Sequence, residues 1–125
     1  MKLGNTISMA QKSLDYLWKK QEVTANNLAN VDTPGYKKKI VSFEDTFRRK
    51  MEAAASAGDP GKVRQAIEES DYRVLSQNSS ARVDGNNVNA DFEYTELSRT
   101  ALHYQYMIQS VSSDITRYRS AIKGQ

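Results

Sequence analysis

Residues 90–124 read ADFEYTELSRTALHYQYMIQSVSSDITRYRSAIKG. Within them Ala90, Tyr94, Leu97, Ala101, Tyr104, Ile108, Val111, Ile115, Tyr118 and Ile122 follow one another at alternating steps of four and three. Residues three and four apart share one face of an α-helix, so this beat lays down a narrow stripe of the kind that packs against other helices. Asn89 or Asp91 can cap the helix. Asp91, Glu93 and Glu96 place negative charge near its positive end, and Arg117, Arg119 and Lys123 place positive charge near its negative end. Gly124 ends it. At 1.5 Å per residue such a helix is about 50 Å long, too long for a small globule to cover, so part of the stripe needs a partner chain.

A second seam lies near the other end of the chain. Ile7, Ala10, Leu14, Leu17, Gln21, Thr24, Leu28 and Val31 again step by three and four. Ser8 and Gln11 have capping-box spacing at its start, with Asn5 or Thr6 as alternative caps. Asp32, Thr33, Pro34 and Gly35 end it: proline presets φ at the first central turn position and glycine accepts positive φ at the second, which predicts a type II turn over 33–36. Gln21 and Thr24 are polar where the seam calls for apolar residues, a feature that can fix register and partner choice.

Between Tyr36 and Val88 the periodicity fades. Phe43 and Phe47 and the helix formers after them predict a short helix from about Ser42 to Ala55; AGDPG (57–61) breaks the chain; Lys62–Glu69 predicts another turn or two of helix, and Tyr72–Leu75 a short strand. DGNN (84–87) is a turn that hands over to the last helix.

Composition narrows the chemistry. The 125 residues include no Cys and one His, so thiolate metal sites, disulfides and a cysteine nucleophile are excluded. His103 falls between two stripe positions and points away from the stripe, while Glu68, Glu69 and Asp71 diverge rather than pair as acid and base. No phosphate loop or nucleophile elbow appears, so neither an enzyme nor a cofactor is expected. No stretch is long and apolar enough to span a membrane, and MKLGNTISMAQKS lacks the apolar core of a cleavable signal. A net charge of +3 and the cluster Lys37, Lys38, Lys39, followed by Arg48, Arg49 and Lys50, admit a basic nucleic-acid-binding module as the rival reading. Glu44 and Asp45 interrupt that cluster, and no aromatic and glycine pattern of an RNA-binding sheet accompanies it, so a solvated or interface-lining cluster is the cheaper reading. A helical adaptor or chaperone is a third.

The block ANNLANVDTPGYK, comprising Ala25, Asn26, Asn27, Leu28, Ala29, Asn30, Val31, Asp32, Thr33, Pro34, Gly35, Tyr36 and Lys37, resembles the signature of the bacterial flagellar rod and hook axial proteins. The short length, residues 84–111 and the terminal RYRSAIKG (117–124) resemble the short proximal rod members of that family, with 1–47 and 84–125 covered. The resemblance implies a mainly α fold. Residues 1–35 and 90–125 would pair as an antiparallel coiled coil of long N- and C-terminal helices, and 36–89 would form a variable, partly β middle. It implies a structural subunit of the proximal rod that transmits torque and sits in the periplasmic basal body. Such a subunit is exported by the type III apparatus without a cleavable signal. Implied partners are FlgC and further rod subunits, other copies of the chain, the adaptor FliE and the MS ring, and not nucleic acid. The residues expected to carry packing are Ile7, Leu14, Leu17, Leu28, Leu97, Tyr104, Ile108, Val111, Ile115, Tyr118 and Ile122. Phe43 and Phe47, in FEDTF, resemble the Phe-x-x-x-apolar element associated with the export gate.

Overall fold

The computed structural model describes residues 3–79 and 82–124. Its frame is two long helices, α1 (Leu3–Ala29) and α4 (Ala90–Lys123), which pack against one another. Lys20 meets Glu96 at 3.1 Å, Trp18 lies beside Tyr104 and Asn27 beside Glu93, so the helices run antiparallel, as the family resemblance implied. Asn89 Oδ1 caps α4 by accepting from Phe92 N at 3.1 Å. Gly124, at φ +71°, closes it in the left-handed conformation that glycine adopts without penalty. The start of α1 differs from expectation. The helix already runs from Leu3, so Ser8 lies well inside it and the Ser8–Gln11 capping box does not form.

The middle folds onto this pair. Strand β1 (Lys39–Ser42), absent from the sequence reading, pairs antiparallel with β2 (Arg73–Ser76), with Ile40 opposite Leu75 and Val41 opposite Val74. Between them α2 (Glu44–Ser56) and α3 (Pro60–Glu68) pack together. Asp59 caps α3 by accepting from Gly61 N at 2.9 Å, and Pro60 occupies its first turn, where a missing N–H costs nothing. At the far end of α1 the buried Asn5 Nδ2 reaches Pro60 O at 3.4 Å.

The core forms where these layers meet. Tyr16 and Leu17 of α1 bury against Phe43, with Val41, Phe47, Tyr72, Tyr104 and Met107 packed around them. The Phe43 ring stacks between Tyr16 and Phe47, with both centroid distances at 5.0 Å. Burying rings of this size contributes roughly 2 kcal/mol each by area, and stacking adds a smaller increment. Phe43 and Phe47 thus serve as packing residues in the folded chain.

Candidate subunit interface and the signature turn

The signature block is where α1 ends and reverses, and its side chains are tied to the DGNN turn more than fifty residues later. Tyr36 N donates to Thr33 O at 3.2 Å and Gly35 sits at φ +75°, as expected of the type II turn. Gly35 N in turn donates to Asp84 O at 2.8 Å. Gly85 faces Gly35 across the joint at φ +82°, and both turns use the left-handed backbone conformation that glycine adopts without penalty. Asn86, with 0% of its surface exposed, completes the joint. Its Nδ2 donates to Asn30 O at 2.9 Å, Val31 O at 3.1 Å and Thr33 O at 2.9 Å, and its Oδ1 accepts from Val88 N at 2.8 Å. The carbonyls at a helix C-terminus have no partners within the helix, and here a distant amide supplies them. Arg82 Nη2 also donates to Val31 O, and Lys37 Nζ to Gly85 O.

A second polar knot joins α1, β1 and α4. Asn27 Oδ1 accepts from Lys39 N at 3.0 Å and from the Tyr36 hydroxyl at 3.1 Å, while its Nδ2 donates to Lys39 O at 2.8 Å. The side-chain amide thus pairs with Lys39 as a neighbouring strand would, which starts β1. Below it Glu93, 1% exposed, faces Lys38 Nζ at 3.1 Å. The contact lies off the line of a hydrogen bond, so Glu93 Oε1 is held by charge alone. The same ammonium sits 3.8 Å from the centroid of the Phe92 ring, a cation–π contact. Lys37 and Lys38, two of the six residues in the basic cluster that suggested nucleic acid, are therefore engaged within the fold.

Burial, and then the charge of Glu93, raise the Tyr36 phenol above its ordinary 10.0. The unfolded chain loses that proton first as pH rises, so the folded state becomes relatively less stable above pH 10.0 and keeps the full contribution below it. Tyr36→Phe is expected to lose about 1 kcal/mol of hydrogen bonding at neutral pH yet show a shallower alkaline decline. Chemical denaturation of both proteins across pH checks this; equal alkaline slopes would refute it.

The other side of α4 is uncovered. The residues of α4 that bury toward the rest of the chain are Ala90, Glu93, Glu96, Leu97, Thr100, Tyr104, Met107, Val111 and Asp114, a stripe turned about one position from the apolar one read from the sequence. The two stripes share Ala90, Leu97, Tyr104 and Val111. The others diverge: Tyr94, Ala101, Ile108, Ile115, Tyr118 and Ile122 face outward, with Ile108 at 43% and Ile122 at 69% exposure. Leu102, Tyr106 and Trp18 extend the uncovered surface. On α1, by contrast, Ile7, Leu14 and Leu28 are half-buried and Leu17 is buried, so that seam faces inward. The expected packing residues are thus separated into an internal set and an external set. His103 is exposed, as its position between stripe residues implied. The sequence reading missed Asn27, Asn86 and Glu93 as an ensemble, because nothing local says that two turns fifty residues apart will touch.

An antiparallel helix pair that locks its own ends with polar knots and leaves a continuous apolar face bare defines a helical packing subunit. A family profile described as "Flagella basal body rod protein" matches residues 16–37, the second half of α1 and the signature turn. The flagellar basal body rod protein FlgB of Bacillus subtilis (strain 168) is 32% identical over 125 residues, covering 97% of this chain and 95% of the relative. FlgB of Escherichia coli (strain K12) is 30% identical, covering 91% and 90%, and FlgB of Proteus mirabilis is 30% identical, covering 98% and 91%. The chain belongs to the FlgB family of flagellar basal body rod proteins, and it is a structural rod subunit of the basal body. Among the described residues no helix is long and apolar enough to cross a membrane.

Proposed function

We propose that the subunit occupies the proximal rod and is held there by the outward stripe of α4, with Leu97, Tyr104 and Val111 at its inner edge. The observation that carries this reading is the uncovered run Tyr94, Ala101, Ile108, Ile115, Tyr118 and Ile122. Apolar stripes of this extent on a soluble chain mark interaction sites. Neighbouring rod subunits, FlgC and further copies among them, supply the covering helices, while FliE and the MS ring meet the base of the assembly. Helices interlocked along such seams resist shear through close packing, which is what a torque-bearing tube requires. The signature residues Ala25–Tyr36 act through the buried Asn27 and the backbone of the turn, by fixing how α1 ends and where α4 begins. The resulting protein is a structural element of the periplasmic basal body with no catalytic duty.

Two adjacent residues separate assembly from folding. Ile108→Asp puts a charge on the outward stripe, so the purified chain should melt close to wild type while basal bodies lack a completed rod and cells lose motility. Met107→Asp puts the same charge against Tyr16 and Leu17 and should cost several kcal/mol of stability. Wild-type swimming by the Ile108→Asp strain would overturn the reading.

Delivery by type III export fits Phe43 and Phe47 only if they are read in the unfolded chain, since Phe43 is buried in the folded one. In a secretion assay, Phe47→Ala should reduce the exported fraction without lowering the cytoplasmic pool. Unchanged export would leave the pair with packing alone.

A further inference from the structure

Two polar atoms between the long helices have no partner among the described residues. Gln21 Oε1 on α1 and Thr100 Oγ1 on α4 are both closed to solvent, and Thr100 as a whole is only 2% exposed. Thr95 and Thr116, on the same helix, donate to the carbonyls of Asp91 and Ser112 at 2.9 Å, a bond open to any threonine inside a helix. Thr100 makes no such bond. A buried polar atom left unpaired costs more than an apolar atom of the same shape in its place, so neither group stabilises the isolated chain.

Both residues line one cleft of about 220 Å³ between α1 and α4. Leu17, Trp18, Ala101 and Tyr104 form its apolar walls, and among the described residues no charged side chain lines it. Through the exposed Ala101 the cleft is continuous with the uncovered side of α4, and Trp18, 65% exposed, stands at its rim. We propose that the cleft receives a carboxamide side chain from a helix of a neighbouring rod subunit, whose NH2 group donates to Gln21 Oε1 and whose oxygen accepts from the Thr100 hydroxyl. This rests on the reading of the uncovered side of α4 as a packing face, and it names the chemistry of one residue that packs there.

The occupant follows from the lining. Gln21 Oε1 needs a donor, and the Thr100 hydroxyl can give its proton to an acceptor. A carboxamide carries a donor and an acceptor on separate atoms, so one group serves both. A carboxylate or an ammonium would enter with no counter-charge in the cleft, and a hydrocarbon would leave both polar atoms unpaired. Both atoms lie just beneath the cleft surface and reach it by side-chain rotation, because the last torsion of glutamine is broad and a helical threonine has two accessible rotamers. The pair thereby selects among neighbours: a helix that presents an amide here is favoured over one that presents only apolar or charged side chains.

The test sets folding against assembly. Gln21→Met and Thr100→Val replace the polar groups with apolar ones of similar shape. Each purified variant should melt at or above wild type, yet its cells should complete fewer rods and swim poorly. A lower melting temperature would assign the polar groups to the chain's own fold, and wild-type swimming would leave them without a neighbour; either result overturns the inference. Trp18 is the one tryptophan of the chain, so its emission reports on the cleft directly. Added to the full-length protein, butyramide should shift that emission to saturation at concentrations at least about tenfold below those that butyrate or butylammonium need, and each variant should weaken the butyramide response by about tenfold. Equal responses to the three compounds would overturn the amide. Motile Ile108→Asp cells together with selective butyramide binding would remove the stripe from the rod and keep the chemistry of the cleft. Loss of rods in Ile108→Asp with no preference for butyramide would do the opposite.

Discussion

Asn86→Asp should destabilise the chain by about 3 kcal/mol or more, and more than Asn86→Ala does. The amide has two hydrogens shared among three carbonyls, all within 3.1 Å, in a site closed to solvent. Alanine removes those donors and the acceptor for Val88 N; each carbonyl keeps one other donor, from Thr33 N, Arg82 Nη2 or Tyr36 N, so the cost is the lost hydrogen bonds and the buried Val88 N–H left unpaired, about 1 kcal/mol or more each. Aspartate keeps the acceptor but turns a second oxygen, and a negative charge, toward those same carbonyls. At this chain length the alanine variant should melt about 10 °C lower, and the aspartate variant lower still. Thermal unfolding followed by far-ultraviolet circular dichroism is the measurement, with Asp32→Ala in the exposed part of the turn as a control expected to move little. If the aspartate variant proves no worse than alanine, the hydrogen bonds drawn from Asn86 do not determine how α1 ends.

The same joint shows which parts of the structure could be read locally. The two long helices, the Asn89 cap, the Pro34–Gly35 turn and the Gly124 stop each depend on residues within a few positions of one another, and each is found where expected. β1 could not be found that way. Its strand character comes from Asn27, twelve residues earlier, which satisfies Lys39 on one side, and from β2, more than thirty residues later, on the other. The α4 stripe is an intermediate case. Helical spacing located both of its faces within one residue, but polar Glu93 and Thr100 take the inner face and apolar Ile108 and Ile115 the outer one. A hydrophobicity pattern assumes that apolar residues face inward, and it assigns such a helix the wrong side whenever the protein is a component of something larger. The mismatch between the apolar stripe and the buried stripe is itself the sign of an interface.

Lys38→Met should cost about 3 kcal/mol or more, although it replaces a charged side chain with an apolar one of similar length. The cost arises at Glu93. That carboxylate is nearly inaccessible, and with the ammonium gone it keeps the 3.5 Å approach of Asn27 Nδ2 but no cation among the described residues paired with it. Breaking a buried ion pair from one side leaves a charge that the interior solvates poorly, whereas removing both partners is often close to neutral. The double variant Lys38→Met with Glu93→Met should therefore recover most of the loss, giving a coupling energy well above the roughly 0.5 kcal/mol expected of independent sites. Exposed pairs provide the contrast: Arg48–Asp45 at 3.3 Å lies in solvent, and Arg48→Met should be nearly silent. Denaturant titrations of the two single variants and the double variant decide the matter. Additive losses would mean that Glu93 and Lys38 do not act as a pair, and that the start of α4 is held against β1 by Asn27 alone.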